Sequence, residues 1–169
     1  NCIMQAEGSD QWGNITTGID LIRKKTGKEV YAFTMPLVLD AQGKKFGKSE
    51  GNALWLDINK TSSYELYQYL INSDDSMCEQ YLKIFTFLKP EEIIEIIKKH
   101  NEQPHLRLAQ KTLAREIITD LHGKEEYEKA VKISEALFNG NVCDIDPTLI
   151  DKIFKNVPNS NIDNDDNIV

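Results

Sequence analysis

The stretch Cys2–Thr34, "CIMQAEGSDQWGNITTGIDLIRKKTGKEVYAFT", decides the fold. It opens on a short apolar run, "CIMQA" (2–6), that passes through the turn residues "EGSD". In the segment that follows, Trp12, Ile15, Ile19 and Ile22 recur at steps of three and four, which puts four apolar side chains on one helix face. Asp10 is placed to cap the start of that helix. Lys24 and Lys25 lie near its end, as helix C-termini prefer, and Gly27 stops it. "EVYAFT" (29–34), rich in β-branched and aromatic residues, is a second strand. A strand, a helix and a strand of these lengths make a βαβ unit, and the expectation is a parallel sheet.

Beyond this unit, "MPLVLD" (35–40) runs into the Gly- and Lys-rich "AQGKKFGKSEGN" (41–52), and "ALWLD" (53–57) closes the first part. From Thr61 onward the pattern turns helical. Ser62 and Glu65 form a capping box before "YELYQYLIN". "SMCEQYLKIFTFL" (76–88) is a second helix, and Pro90 with Glu91 and Glu92 starts a third, "EEIIEIIKKH". Pro104 suits the first turn of a long fourth helix that ends at Gly123, and "KEEYEKAVKISEALF" is a fifth that ends at Asn139-Gly140. The predicted fold class is therefore α/β then all-α. Residues 1–60 form the α/β part, 61–142 a helical domain, and 143–169 a short helix with a polar, Asn/Asp-rich linker.

The chain has 169 residues, 40% of them apolar, enough for a real core. No apolar run approaches the roughly 18 residues needed to span a bilayer, so no membrane association is expected. The opening "NCIMQAEGSD" has no initiator Met and no secretory leader; it reads as a cut inside a folded domain. Cys2, Cys78 and Cys143 are odd in number and far apart, which fits a reduced, cytoplasmic protein better than a disulfide framework, and no metal site is expected. A net charge of −7 means that any nucleic-acid contact must come from a local basic patch.

The lysine-rich loop looks like half of a phosphate-binding P-loop, but its spacing is one residue short. A P-loop also needs a helix after it, and Glu50, Gly51 and Asn52 do not start one well. An ordinary solvated basic turn is the bland alternative. Lys45 and Lys48 allow more, because two ammonium groups flanking a pliable Gly47 can close over a polyphosphate as charge moves to the leaving group. A second motif, "EGSDQWGNITTG" (7–18), lies at the C-terminal end of a predicted strand, where open α/β sheets bind ligands. There Gly8 permits close backbone approach, Asp10 offers a carboxylate suited to ribose hydroxyls, and Gln11 an amide. A loop with a helix cap would need Asp10 alone, and would leave Gln11, Trp12 and Asn14 unexplained.

"GSDQWGN" (8–14) followed by "KFGKS" (45–49) closely resembles bacterial-type tyrosyl-tRNA synthetase. "KFGKS" is similar to the class I signature Lys-Met-Ser-Lys-Ser, and "MPLV" (35–38) to the adenine-side segment before it. "YQYLINSDD", "YLKIFTFL", "AQKTLAREI" and "ISEALF" resemble the helical domain of that family, so the likeness runs from about residue 3 to 140. The resemblance implies part of a Rossmann-like nucleotide-binding domain followed by an α-helical domain that binds the anticodon arm. It implies the activation of tyrosine by ATP, with Mg²⁺ as part of the substrate and no tightly bound cofactor, and transfer of the tyrosyl group to tRNA(Tyr). No enzyme nucleophile is needed, so catalysis rests on positioning and charge stabilisation. By position, Gly8 and Asp10 hold the ribose, Gln11 lies against tyrosine and the α-phosphate, and Leu37 and Val38 flank adenine. Lys45 and Lys48 stabilise the pyrophosphate side, with Phe46, Gly47 and Ser49 shaping the loop.

There are departures. Glu7 stands where the family usually has a second Gly, and the family's His-x-Gly-His motif is absent, since His100, His105 and His122 all lie in the helical half. Residues 1–169 alone are accordingly expected to be inactive, with most of the tyrosine pocket and the segment of a homodimer interface lying before Asn1. A tryptophanyl enzyme, or a non-catalytic synthetase-like RNA-binding protein, remain the alternatives, and a further RNA-binding domain after the linker is an open expectation. On the fourth helix Arg107, Lys111 and Arg115 fall at i, i+4, i+8 and form a basic stripe, either a solvated face or a tRNA phosphate contact. Leu106, Ala109, Leu113, Ile117 and Leu121 form the neighbouring stripe expected to face the core.

Overall fold

A computed structural model describes residues 2–49 and 52–139, in two units that divide between Ala53 and Leu54. The expectations for the Lys48 and Ser49 side chains, for Cys143, and for the short helix and linker at 143–169 lie outside what is described.

In the first unit, β1 (Met4–Gly8) pairs in parallel with β2 (Tyr31–Met35), with register running from Met4 opposite Tyr31 to Gly8 opposite Met35. Both strands sit later in the chain than the apolar runs suggest, so Glu7 and Gly8 belong to β1 rather than to a turn. Between them α1 (Trp12–Thr26) ends where Gly27, at φ +67°, takes the left-handed conformation that glycine adopts without steric cost. Of the four apolar residues on its predicted face only Ile15 is buried; Trp12 stays 52% exposed and Ile22 37%. A two-stranded sheet is too narrow to cover the whole face.

The chain then folds into a hairpin around Asp40–Lys44. Leu39 and Lys45 form an antiparallel bridge, Phe46 N donates to Val38 O at 3.0 Å, and Asp40 N to Lys44 O at 2.8 Å. The Asp40 carboxylate accepts from the amides of Gln42 (3.0 Å) and Lys44 (2.8 Å), which locks the turn. Next come two short antiparallel strands, β3 (Lys48–Ser49) and β4 (Asn52–Ala53). A strand rather than a helix follows Gly47, which removes the P-loop reading.

The second unit is built from α2 (Ser63–Ile71), α3 (Asp75–Phe85), α4 (Pro90–Glu102), α5 (Leu108–His122) and α6 (Lys124–Asn139). The capping box at Ser62 is complete: Ser62 Oγ accepts from Glu65 N (3.2 Å) and Glu65 Oε2 from Ser62 N (2.8 Å). α5 is the centre of the unit and packs against α2, α3, α4 and α6. Ala109, Leu113, Ala114 and Ile118 are wholly buried on it, and the helices packed around it bury Leu70 (α2), Cys78 and Leu82 (α3) and Ala130 (α6). Small residues on α5 and α6 allow the axes to approach, and truncating Leu82 or Leu113 to Ala would cost about 2–5 kcal/mol. Burial, followed by the charges of Asp75 and Asp74, pushes the Cys78 thiol up to about 12.

Three expectations for this unit are corrected. The second helix stops at Phe85 instead of reaching Leu88, because Thr86 is extended and its hydroxyl bonds back to Leu82 O at 2.7 Å. The fourth helix is not continuous from Pro104. Pro104–Leu106 is a separate 3₁₀ turn, Arg107 takes a left-handed φ of +52°, and α5 starts at Leu108. The apolar stripe shortens with it: Ala109 and Leu113 are buried, while Leu106 (48%) and Leu121 (40%) are exposed. Polar contacts hold the shoulder of this break. Gln110 Nε2 donates to Ser73 O (3.2 Å) and to the Asp75 carboxylate. Buried His100 brings Nε2 to 3.2 Å from Asp75 Oδ1, within ion-pair reach but out of hydrogen-bond alignment.

Candidate nucleotide site

The two sequence motifs meet in the first unit. Ser9–Gln11 forms a single 3₁₀ turn after β1, and Gln11, not Asp10, is the residue that precedes α1. Asp10 caps nothing. Its Oδ2 instead accepts from Lys45 Nζ at 2.8 Å, across 35 residues of chain. That bond, followed by the weaker hydrogen bond from Gln11, holds the Asp10 carboxyl below the usual carboxylate range. The helix-cap reading of Asp10 is thereby replaced by an ion pair between motifs.

Around the pair the side chains are ordered by one another. Asn14 Nδ2 donates to Gln11 Oε1 at 2.9 Å, and this fixes the amide so that Gln11 Nε2 faces Asp10 Oδ2 at 3.5 Å. Gly8 lies beneath. A Cβ built on it would sit 2.8 Å from Asp10 Oδ1 and 2.8 Å from Leu37 Cδ2, too close for any side chain without displacing both. Gly8, Asp10, Gln11, Leu37 and Lys45 thus form one cluster at the C-terminal end of a parallel strand, where helix-flanked sheets present backbone amides to ligands. Val38 is anchored beside it through its carbonyl bond to Phe46 N, and Gly47 turns the loop at φ +77°. Glu7 alternates to the opposite face of β1 from Gly8, and is exposed, with Gln5 Nε2 donating to it at 3.4 Å. The carboxylate that departs from the family pattern therefore points away from the cluster.

What the cluster can do follows from its charges. An acceptor and a cation, half-exposed and in contact, are each other's counter-charge until a ligand offers better partners. Hydroxyl donors suit the carboxylate and an oxyanion suits the ammonium, so a ligand with a diol at one end and phosphate at the other would engage both.

The three residues of the predicted basic stripe are all exposed, but they differ in their partners. Arg107 lies outside α5 and donates from Nη1 to Ile71 O and Asn72 Oδ1, both at 3.0 Å. Arg115 is engaged by Glu116, with Nη2 at 2.8 Å, and Lys111 is exposed. Sequence reasoning missed a different constellation, in which His122 bridges Ser63 and Leu56 O; contacts across such distances along the chain leave no spacing signal. Among the described residues no helix is long and apolar enough to cross a membrane.

Comparison with known proteins gives concordant matches. The tyrosine–tRNA ligases of Streptococcus pyogenes serotype M3 and Streptococcus uberis are each 49% identical over 168 residues, 99% of this chain and 40% of those proteins. The chain thus spans about two fifths of the length of these relatives. A C-terminally truncated mitochondrial tyrosyl-tRNA synthetase of Aspergillus nidulans superposes with a TM-score of 0.66 at 34% identity, over 80% of this chain and 39% of that one. The corresponding protein of Coccidioides posadasii gives 0.63 at 35%, over 76% and 38%. The family described as tRNA synthetases class I (W and Y) matches residues 2–139. That match takes in both motifs and the helical unit behind them, and the chain belongs to the class I tRNA synthetases (W and Y).

Proposed function

We propose that this chain is the nucleotide-side and helical part of a tyrosine–tRNA ligase, which activates tyrosine with ATP and passes the tyrosyl group to tRNA(Tyr). The observation that carries the reading is the Asp10–Lys45 ion pair. It joins the "GSDQWGN" and "KFGKS" motifs in one cluster with Gly8, Gln11 and Leu37, in a chain 49% identical to tyrosine–tRNA ligases.

In this reading MgATP is the substrate and separates the pair. The ribose hydroxyls donate to Asp10, the backbone at Gly8 lies against the nucleotide, and Leu37 and Val38 flank adenine. Gln11, held by Asn14, presents its amide N–H to the α-phosphate and the tyrosine carboxylate. That carboxylate attacks the α-phosphorus, the bond to the bridging oxygen breaks, and pyrophosphate leaves with the electron pair. Lys45 and Lys48 neutralise the charge that builds on it, while Phe46, Gly47 and Ser49 let the loop follow. tRNA(Tyr) approaches the helical unit, where Arg107, Lys111 and Arg115 are all exposed. The resemblance carries with it a homodimer in the cytoplasm.

The test is pyrophosphate exchange and tRNA charging by a full-length ligase that carries this chain, with tyrosine, tryptophan or no amino acid. Exchange and charging that depend on tyrosine are expected. Dependence on tryptophan, or the absence of exchange alongside intact tRNA binding, would replace this reading by the tryptophanyl or the non-catalytic one.

A further inference from the structure

The turn that precedes Lys45 is closed by a side chain as well as by the backbone. Asp40 opens that turn, and Gly43 N donates to Asp40 O at 3.0 Å to close it. Asp40 Oδ1 receives two further amides, Gln42 N at 3.0 Å and Lys44 N at 2.8 Å. Asp40 N in turn donates to Lys44 O at 2.8 Å, so residues 40 and 44 are tied twice. Lys45 comes next and pairs with Leu39 across the hairpin.

The two arms of the hairpin have different anchors. The incoming arm is seated on the end of β1, because Leu37 Cδ2 lies where any side chain on Gly8 would have to go. The outgoing arm carries Lys45, whose Nζ reaches Asp10 Oδ2 at 2.8 Å. The Lys45 side chain is 47% exposed, so packing holds little of it and its aim depends on where its backbone is fixed. Three contacts fix that backbone to the incoming arm: the Leu39–Lys45 bridge, the bond from Phe46 N to Val38 O, and the Asp40 clamp. Of these three, the clamp alone is made by a side chain. All of them lie within the first unit, together with the ion pair that they serve.

We propose that Asp40 is a positioning residue for adenylate formation: by clamping the turn before Lys45 it aims that ammonium at the place beside Asp10 where the phosphates bind. The role rests on the reading of Lys45 given above. A single oxygen receives both amides, and asparagine keeps a carbonyl Oδ1 in that place. Asparagine can therefore hold the turn without the charge, and alanine cannot.

In a full-length ligase that carries this chain, Asp40→Ala is expected to lower kcat for pyrophosphate exchange about 10-fold, the weight of one lost hydrogen bond to a charged group, with KM for tyrosine unchanged. Asp40→Asn is expected to stay within about threefold of the wild type, and both variants should unfold at similar temperatures. A second readout needs no turnover. The Asp10 carboxyl is held low first by its bond from Lys45, so its ¹³C titration midpoint should rise in Asp40→Ala. Asp40→Asn removes the same negative charge and should leave that midpoint low, so the difference between the two variants reads the clamp. A wild-type kcat or an unmoved Asp10 midpoint in Asp40→Ala would overturn the role, as would an equal loss in Asp40→Asn. A wild-type ligase without tyrosine-dependent exchange would overturn the proposed function and this role with it, whereas an active wild type with an unaffected Asp40→Ala would overturn the role alone.

Discussion

Replacing Gly8 by alanine isolates the site from the fold. The backbone at Gly8 has φ −67° and ψ 153°, an extended conformation open to any residue, so only space opposes the change. The new methyl would meet Asp10 Oδ1 and Leu37 Cδ2 at 2.8 Å. Both must retreat by roughly 0.6 Å or more before ordinary van der Waals contact is restored. Each is the end of a flexible side chain, so the fold yields cheaply, and the loss of glycine's freedom in the unfolded chain offsets about 0.4–1 kcal/mol of the cost. The site does not yield cheaply. Asp10 Oδ2 is placed 2.8 Å from Lys45 Nζ, and moving a substrate-positioning group by about 1 Å can cost on the order of 10²-fold in rate. In a full-length ligase carrying this chain, Gly8→Ala should therefore lower kcat/KM for ATP in pyrophosphate exchange by roughly 10- to 100-fold, with little change in thermal unfolding. Full exchange activity in a normally folded variant would refute the close-approach role of Gly8 and the packing of Asp10 against it.

Three further outcomes follow from individual contacts. Ser62→Ala removes the hydroxyl half of the capping box and should lower stability by about 1 kcal/mol, read as a lower urea midpoint at unchanged slope. In thiol labelling followed by peptide mapping near pH 8, exposed Cys2 should react while Cys78, buried and pushed up to about 12, should stay unmodified until the protein unfolds. The third concerns pH. Lys45 lowers the Asp10 carboxyl from its ordinary 3.8, so the pair's contribution is fully present above that value and is lost as pH falls through the lowered one. A carboxyl ¹³C titration should show the Asp10 midpoint rising in Lys45→Met, and an unmoved midpoint would remove the ion pair.

Local signals carried most of the fold. The 3.6-residue spacing of α1, the stop at Gly27, the capping box at Ser62 and the Pro90 start are each set within a few residues, and each stands where its pattern puts it. Tertiary partners decided what those signals left open. Asp10 has the chemistry of a helix cap, but an ammonium 35 residues away in sequence competes for its carboxylate and wins. The break at Arg107 has no Gly or Asn to announce it, because the left-handed turn is held by the bonds of its guanidinium to Ile71 O and Asn72. With that break the first residue of the predicted basic stripe falls outside α5. The motifs named Gly8, Asp10, Gln11 and Lys45 before any geometry was known; that Asn14 orients Gln11, and that His122 grips the connector, required the folded chain.

The central claim is that the Asp10–Lys45 cluster forms tyrosyl-adenylate, and single-turnover adenylate formation tests it most directly. A full-length ligase carrying this chain, mixed with tyrosine and MgATP, should accumulate tyrosyl-adenylate, and Lys45→Ala should slow that step by about 10²–10³-fold, the usual cost of one preorganised charge partner, with tyrosine affinity preserved. An unchanged rate constant in Lys45→Ala would contradict the account.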